Sequence, residues 1–359
     1  MEPDRVKGDI SPESLAAGTV VPWASPWFND AAVRPGTEQA FLKQRLLDSM
    51  RYLGTLQIEF YDRFYDAIRA TDFEGEIIAS NWQAGSLVGH FINLFSDYQI
   101  GMIDRHNYFG GGRGRALRGE DNFIAGSMLA KPGMGTLSAG FQQVDNRAFM
   151  LSEWIHEQPN EWYAEGPAIL GAYGWGLQGW DVSYIFQNGD EGQFSNRLLR
   201  ERWDVTNPAV MGIYSAVSRH VRRMDVSEAP ETKALNVHVP SLFDGKLSFQ
   251  NQTLQSWDTK SFTTDKAPME TLAVTRVAVD FVDEYTETPA FDLEAHKEDG
   301  AFVSTTEQLR WTPAPEGEQL GGYFTMNTPG TKAFVGFAPG GKTFDLGDGY
   351  SITPEAGFA

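Results

Sequence analysis

From Thr37 onward, Leu46, Met50, Leu53, Gln57, Phe60, Phe64 and Ala67 recur three and four residues apart. That spacing lays one mostly apolar stripe along a long helix, with Arg45, Asp48, Arg51, Glu59 and Asp66 on the opposite face. The period then changes. Residues 76–82, EIIASNW, read as a short buried strand ending in polar and aromatic positions, and Leu87 to Tyr98 as a helix. Residues 100–108, IGMIDRHNY, read as a second strand, residues 137–144 as a short helical stretch, and residues 148–154, AFMLSEW, as a third strand. A helix is expected over 164–177, a fourth strand over 180–187 and a helix from Pro208 to about Arg223. The last has Asn207 as its cap and Pro208 at its first position.

Strands alternating with helices imply a parallel sheet, because right-handed crossovers return each strand to the same direction. The polar and aromatic pairs Asn81/Trp82, His106/Tyr108 and Glu153/Trp154 fall at C-terminal strand ends, the face on which parallel α/β barrels build their sites; Trp180/Asp181 fall at the start of the fourth strand. Five prolines within residues 1–36 mark an irregular N-terminal segment. The α/β pattern occupies residues 37–226, and Ser227–Lys233 reads as a linker. Residues 235–359 carry short alternating runs broken by Asp244-Gly245, Pro329-Gly330 and Gly347-Asp348-Gly349, which predict an antiparallel β-sandwich.

Composition narrows the chemistry. The 359 residues contain no cysteine, which removes disulfides, thiolate metal sites and cysteine nucleophiles together. Twenty-nine basic residues against 48 acidic ones give a formal charge of −19, so nucleic acid is not expected as a partner. No run approaches ~18 apolar residues, so no membrane span is expected. The ten tryptophans offer flat apolar faces for a neutral ligand as well as core volume. The opening MEPDRVKGDISPES lacks the basic end and apolar run of a secretory signal, which leaves the compartment open.

Glu153 ends an apolar strand, where a charge is costly unless it is paired or used. Asp104, His106 and Tyr108 alternate along a neighbouring strand and therefore point to one side of it; histidine and tyrosine can both donate to a carboxylate. Trp82, Trp154 and Trp180 are candidates for stacking on sugar rings, and Asn81, Gln178 and Asp181 for contacting hydroxyls. The run Gly110-Gly111-Gly112-Arg113-Gly114-Arg115 matches neither a phosphate loop nor a dinucleotide fingerprint. It reads as a loop after the second strand, whose Arg113, Arg115 and Arg118 could meet an acidic sugar. No cluster has metal-ligand spacing, no cofactor is expected, and no Gly-x-Ser-x-Gly elbow occurs.

The succession SNW at 80–82, DRHNY at 104–108, SEW at 152–154 and NEWYAEGPAILGAYGWGLQGWD at 160–181 resembles the latter half of retaining clan A glycoside hydrolases, the cellulase, β-galactosidase and agarase-like (β/α)8 enzymes. The resemblance covers about residues 40–225. It implies a partial (β/α)8 barrel, strands five to eight, followed by a β-sandwich. In it Glu153 is the nucleophile of strand seven, His106 and Tyr108 orient it from strand six, and Trp180 is the aromatic of strand eight. The substrate implied is a polysaccharide or β-galactoside, and a secreted or periplasmic location is expected only if the full-length protein carries a signal peptide. The Asn-Glu pair carrying the family's acid/base on strand four does not occur ahead of these strands; Asn160-Glu161 follows Glu153 too closely. The resemblance therefore implies a truncated form, with a second chain or a missing N-terminal half completing the barrel. Asp104, Glu157, Glu161 and Glu165 are the substitute acids within the chain. The alternative is a non-catalytic carbohydrate-binding protein.

Overall fold

A computed structural model describes residues 13–21, 23, 30–83, 87–110, 125–158, 160–187, 202–256, 259–338, 340–355 and 357–358. The arginine-bearing loop expected over 110–118 falls, beyond Gly110, outside them.

The first helix, α1 (Lys43–Arg69), follows the apolar stripe but buries only part of it. Leu46, Leu47 and Met50 are fully enclosed, each stabilising by about 1.5–3 kcal/mol. Leu56, Phe60 and Phe64, further along, remain exposed. α2 (Leu87–Tyr98) packs beside α1 and leads into β1 (Ile103–Phe109). β2 (Phe149–His156) pairs with β1 in parallel, and β3 (Val182–Ile185) pairs with β2 in parallel. Between them α3 (Glu165–Ile169) runs on as a π-helical stretch over Leu170–Leu177, whose end is marked by Gln178 N–H donating five residues back to the Tyr173 carbonyl at 2.8 Å. Glycine is required there by close approach: a Cβ on Gly174 would meet the Trp180 ring at 2.8 Å. α4 (Pro208–Arg222) begins as the sequence predicts, with Asn207 Oδ1 accepting from Ala209 N–H at 3.0 Å and Pro208 at its first position.

Residues 76–82 form no strand. They run extended and largely exposed, anchored where Glu76 Oε1 accepts from Met102 N–H (2.7 Å) and Ser80 Oγ donates to Asp97 (3.0 Å). The place beside β1 where that strand was expected is filled from the C-terminal part of the chain. There β4 (Thr232–Val237) is followed by the short α5 (Val239–Leu242) and the hairpin β5 (Asn251–Ser256) and β6 (Thr259–Thr264). β6 meets β1 in parallel at Tyr108 and Thr259, giving the order β3-β2-β1-β6-β5. β7 (Arg276–Phe281) pairs with β4, and that pair is parallel.

Of residues 235–359, expected as an antiparallel β-sandwich, β5 and β6 have joined the sheet of β1 and β7 pairs in parallel with β4, and the antiparallel part lies further on. β8 (Lys297–Glu298), β9 (Ala301–Val303), β10 (Leu309–Thr312), β11 (Tyr323–Asn327) and β12 (Lys332–Ala338) form one antiparallel sheet. A two-stranded pair, β13 (Phe344–Asp345) with β14 (Ser351–Ile352), follows, and β15 (Gly357–Phe358) closes the sheet on β12. The molecule is thus mixed, 32% helical and 22% strand, with an antiparallel sheet, and the described residues form no closed barrel. One apolar cluster runs from Val33 through β1, β2 and the π-helical stretch to Trp311, Phe324 and Met326. Tyr173 joins the two sheets, its ring 4.9 Å from Trp311 and 5.4 Å from Phe324.

Candidate active site

Two strands supply the densest polar cluster. On β1 the alternation carries Asp104, His106 and Tyr108 to one side. On β2 the register skips a residue, Arg105 facing Leu151 and His106 facing Glu153, so Ser152 is the extra residue of a bulge. The bulge presents Ser152 and Glu153 together to the same histidine. Tyr108 Oη donates to Glu153 Oε2 at 2.5 Å, and His106 Nδ1 lies 3.3 Å from the same oxygen. His106 Nε2 is 2.9 Å from Ser152 Oγ, and Ser152 N–H donates to Asp104 Oδ1 at 3.0 Å. The Glu153 side chain is 32% exposed, against 9% for His106. The cluster therefore opens to solvent at its carboxylate.

That polarity decides what the cluster can do. Its order, serine to histidine to carboxylate, matches an acyl-transfer relay. However, the exposed end is Glu153, and the serine's own amide is committed to Asp104, where such a relay would keep donors for an oxyanion. A carboxylate that accepts from Tyr108, lies beside His106 and faces outward is instead placed to act on a ligand itself. The two nitrogens of His106 face different partners, Nδ1 toward Glu153 and Nε2 toward Ser152, so the tautomer sets which of them donates. Burial pushes the Asp104 carboxyl above its ordinary range, against the hydrogen bonds from Ser152 and the charge of Arg105.

The other expected ligand contacts are dispersed. Trp154 follows Glu153 and so points to the opposite face; it is 1% exposed, its Nε1 donates to Ser183 Oγ at 2.7 Å, and it packs on Trp175. Gln178 is fully buried and fastens backbone: its Nε2 donates to the carbonyls of Leu272 (2.8 Å) and Thr275 (2.7 Å), and its Oε1 accepts from Val277 N–H (3.0 Å). Trp180 is buried against Phe149. Asp181 is exposed and accepts from Phe149 N–H at 2.9 Å. Both therefore lie at the N-terminal end of β2, away from Glu153. The turn at Gly179 (φ +67°) ends the preceding helix, and β3 begins only at Val182. The substrate-binding role expected of Trp154, Gln178 and Trp180 does not fit this packing. Asn81 is exposed and outside the cluster's hydrogen bonds.

Trp82 is brought in by a residue the sequence does not flag. Lys260, on β6, is 1% exposed; its N–H donates to Asn107 Oδ1 (3.0 Å), and its Nζ donates to the His106 carbonyl (3.2 Å) and sits 4.1 Å from the centre of the Trp82 ring. No spacing rule links positions 82, 106 and 260.

None of the substitute acids faces outward beside Glu153. Asp104 is buried behind Ser152, Glu157 is buried near Arg202 (3.6 Å), and Glu161 is exposed on the loop beyond β2. Glu165 is sealed at the start of α3, where it accepts from Ser127 Oγ and Met128 N–H, both at 2.5 Å, and lies 3.5 Å from His156 Nδ1. Burial pushes Glu165 up to about 8 and His156 down to about 3, so both are uncharged at neutral pH. Among the described residues no group of three or more His, Asp or Glu could hold a metal ion, and no helix is long and apolar enough to cross a membrane. Comparison of the chain with protein-family models, curated proteins and solved structures returned no match.

Proposed function

We propose that the chain is the nucleophile-bearing part of a retaining β-glycosidase, with Glu153 attacking the anomeric carbon of a polysaccharide or β-galactoside. The observation that carries this reading is one carboxylate oxygen that accepts from Tyr108 Oη at 2.5 Å and lies 3.3 Å from His106 Nδ1, at the solvent-open end of a polar cluster. The tyrosine donor fixes the direction of the carboxylate. Three consecutive parallel strands joined through helical segments support a partial (β/α)8 arrangement for β1 to β3.

A retaining enzyme also needs a second carboxyl group, about 5–5.5 Å away, to protonate the leaving oxygen. The acid in this reading comes from a second chain or segment that completes the barrel. The uncovered apolar face of α1 agrees with that: Phe60, Phe64 and Ile68 line a groove with Phe73, Ile77 and Ile78.

The nucleophile can be tested without the acid, because a dinitrophenolate departs unprotonated. The chain is incubated with 2,4-dinitrophenyl 2-deoxy-2-fluoro-β-galactoside and its glucoside counterpart, and intact mass and peptide maps are recorded. One fluoroglycosyl unit on Glu153, absent in Glu153→Gln, is the expected result. No label, or a label elsewhere, removes the nucleophile assignment. Saccharide binding without label would favour the non-catalytic carbohydrate-binding reading.

A further inference from the structure

An ammonium group on a 1%-exposed residue is costly to bury unless something uses or compensates it. Lys260 sits where β6 joins the edge of β1, and stapling β6 there is already served by backbone pairing and by the Asn107 side chain on the Lys260 amide. The side chain goes further. It bridges the carbonyl of His106 and the face of Trp82, which belongs to an extended segment with no sheet pairing of its own. One face of the indole is under a buried lysine, and the residue as a whole remains 37% exposed.

We propose that Lys260 is a positioning residue that fixes Trp82 as an aromatic platform beside the His106–Glu153 cluster, leaving one indole face to stack on a pyranose ring of a β-linked saccharide. This rests on the glycosidase reading for its ligand and on the cation–π contact for its geometry. The contact orients the ring, so its loss frees Trp82 even though no group touching the saccharide has changed. Because the two residues are 178 positions apart in a 359-residue chain, the platform forms only when the C-terminal hairpin has joined the sheet.

The test uses the full chain in two readouts. A charge 4.1 Å from an indole shifts its emission. The difference spectrum between wild type and Lys260→Met is therefore expected to show a shifted tryptophan signal that vanishes when the same pair is compared in a Trp82→Phe background. By calorimetry with cellotetraose and neoagarotetraose, Lys260→Met is expected to weaken the bound tetrasaccharide roughly two- to thirtyfold, in keeping with the strength of a cation–π contact. Lys260→Arg is expected to retain the affinity, and Lys260→Met is expected to add no loss on top of Trp82→Ala. A merely structural lysine would give the same losses in both tryptophan backgrounds, and that result overturns the proposal. If Lys260→Met does not fold, the neutral Lys260→Gln decides: emission that is unchanged in both backgrounds overturns the contact. A wild-type chain that binds neither tetrasaccharide removes the ligand half together with the parent reading, while the emission comparison still decides the geometry.

Discussion

Replacing Glu165 by glutamine should change the pH dependence of stability in one direction only. The carboxyl is 1% exposed, accepts from Ser127 and Met128, and stands 3.5 Å from a histidine that is itself neutral. Burial, opposed by those hydrogen bonds, takes it from 4.5 to about 8. A folded-state value above the unfolded one means that the folded chain binds the proton more tightly. The contribution to stability is complete below pH 4.5 and is lost as pH rises to 8, at 1.36 kcal/mol per unit. His90 and His156 act in the opposite sense: desolvation lowers both from 6.5 to about 3, so their contribution is present above pH 6.5 and lost below it. Between pH 6.5 and 8 the Glu165 contribution should therefore fall by about 2 kcal/mol. Glutamine copies the shape of the protonated acid but cannot ionise, so the stability of the wild type relative to Glu165→Gln should fall by that amount across the same interval. Urea unfolding at half-unit steps from pH 5 to 9 measures this, with the slope of the transition checked for constancy. Asp97 and Asp104 are also raised by burial, but they are common to both proteins and cancel in the difference. Parallel curves for variant and wild type between pH 6.5 and 8 would refute the account of Glu165 as a buried neutral acid.

Tyr108→Phe removes the hydroxyl that donates to Glu153 and should slow fluoroglycosyl labelling about ten- to a hundredfold, the loss expected for a hydrogen bond to a charged group; a rate within twofold of wild type would contradict that role. Arg105 and Asp97 form a pair 2.8 Å apart with both side chains fully buried, so Asp97→Asn should cost about 3–5 kcal/mol in urea unfolding by stranding the guanidinium. A loss under about 1 kcal/mol would show that the Arg105 contacts to Gln142 and the Asp104 carbonyl suffice.

What the sequence showed of the site follows the reach of its periodicities. Asp104, His106 and Tyr108 were legible as one face because a strand repeats every two residues. Glu153 was legible as a charge at the end of an apolar run. The same rule already sends Trp154 away from Glu153, so its assignment to the ligand side conflicted with the pattern that selected its neighbour. Ser152 was not legible, because a bulge adds a residue whose presence depends on the partner strand's register. Trp180 and Gln178 flank the Gly179 turn ahead of β3, which begins only at Val182, and both side chains are buried rather than set at a strand end facing a ligand. The EIIASNW run has strand composition but no strand, because pairing is settled by what competes for the edge of β1, and the competitor lies beyond residue 250.

That competition also constrains how any second chain could complete a barrel around these strands. The sheet has the order β3-β2-β1-β6-β5, so a strand arriving beside β1 would have to displace β6 and with it the Lys260 bonds to His106 and Asn107. The opposite edge is different. β3 has four residues, is only partly buried and, among the described residues, has β2 as its one strand neighbour. A short edge of this kind presents unpaired backbone groups to an incoming strand while limiting promiscuous pairing. The apolar groove on α1 offers a second point of attachment, with Phe60, Phe64 and Phe73 all about half exposed. An acid-bearing partner that keeps the Glu153 cluster intact must therefore engage β3 and α1 while leaving β6 in place. Introducing a charge into the groove, as in Phe64→Asp, should then abolish complementation without altering fluoroglycosyl labelling of Glu153 in the isolated chain.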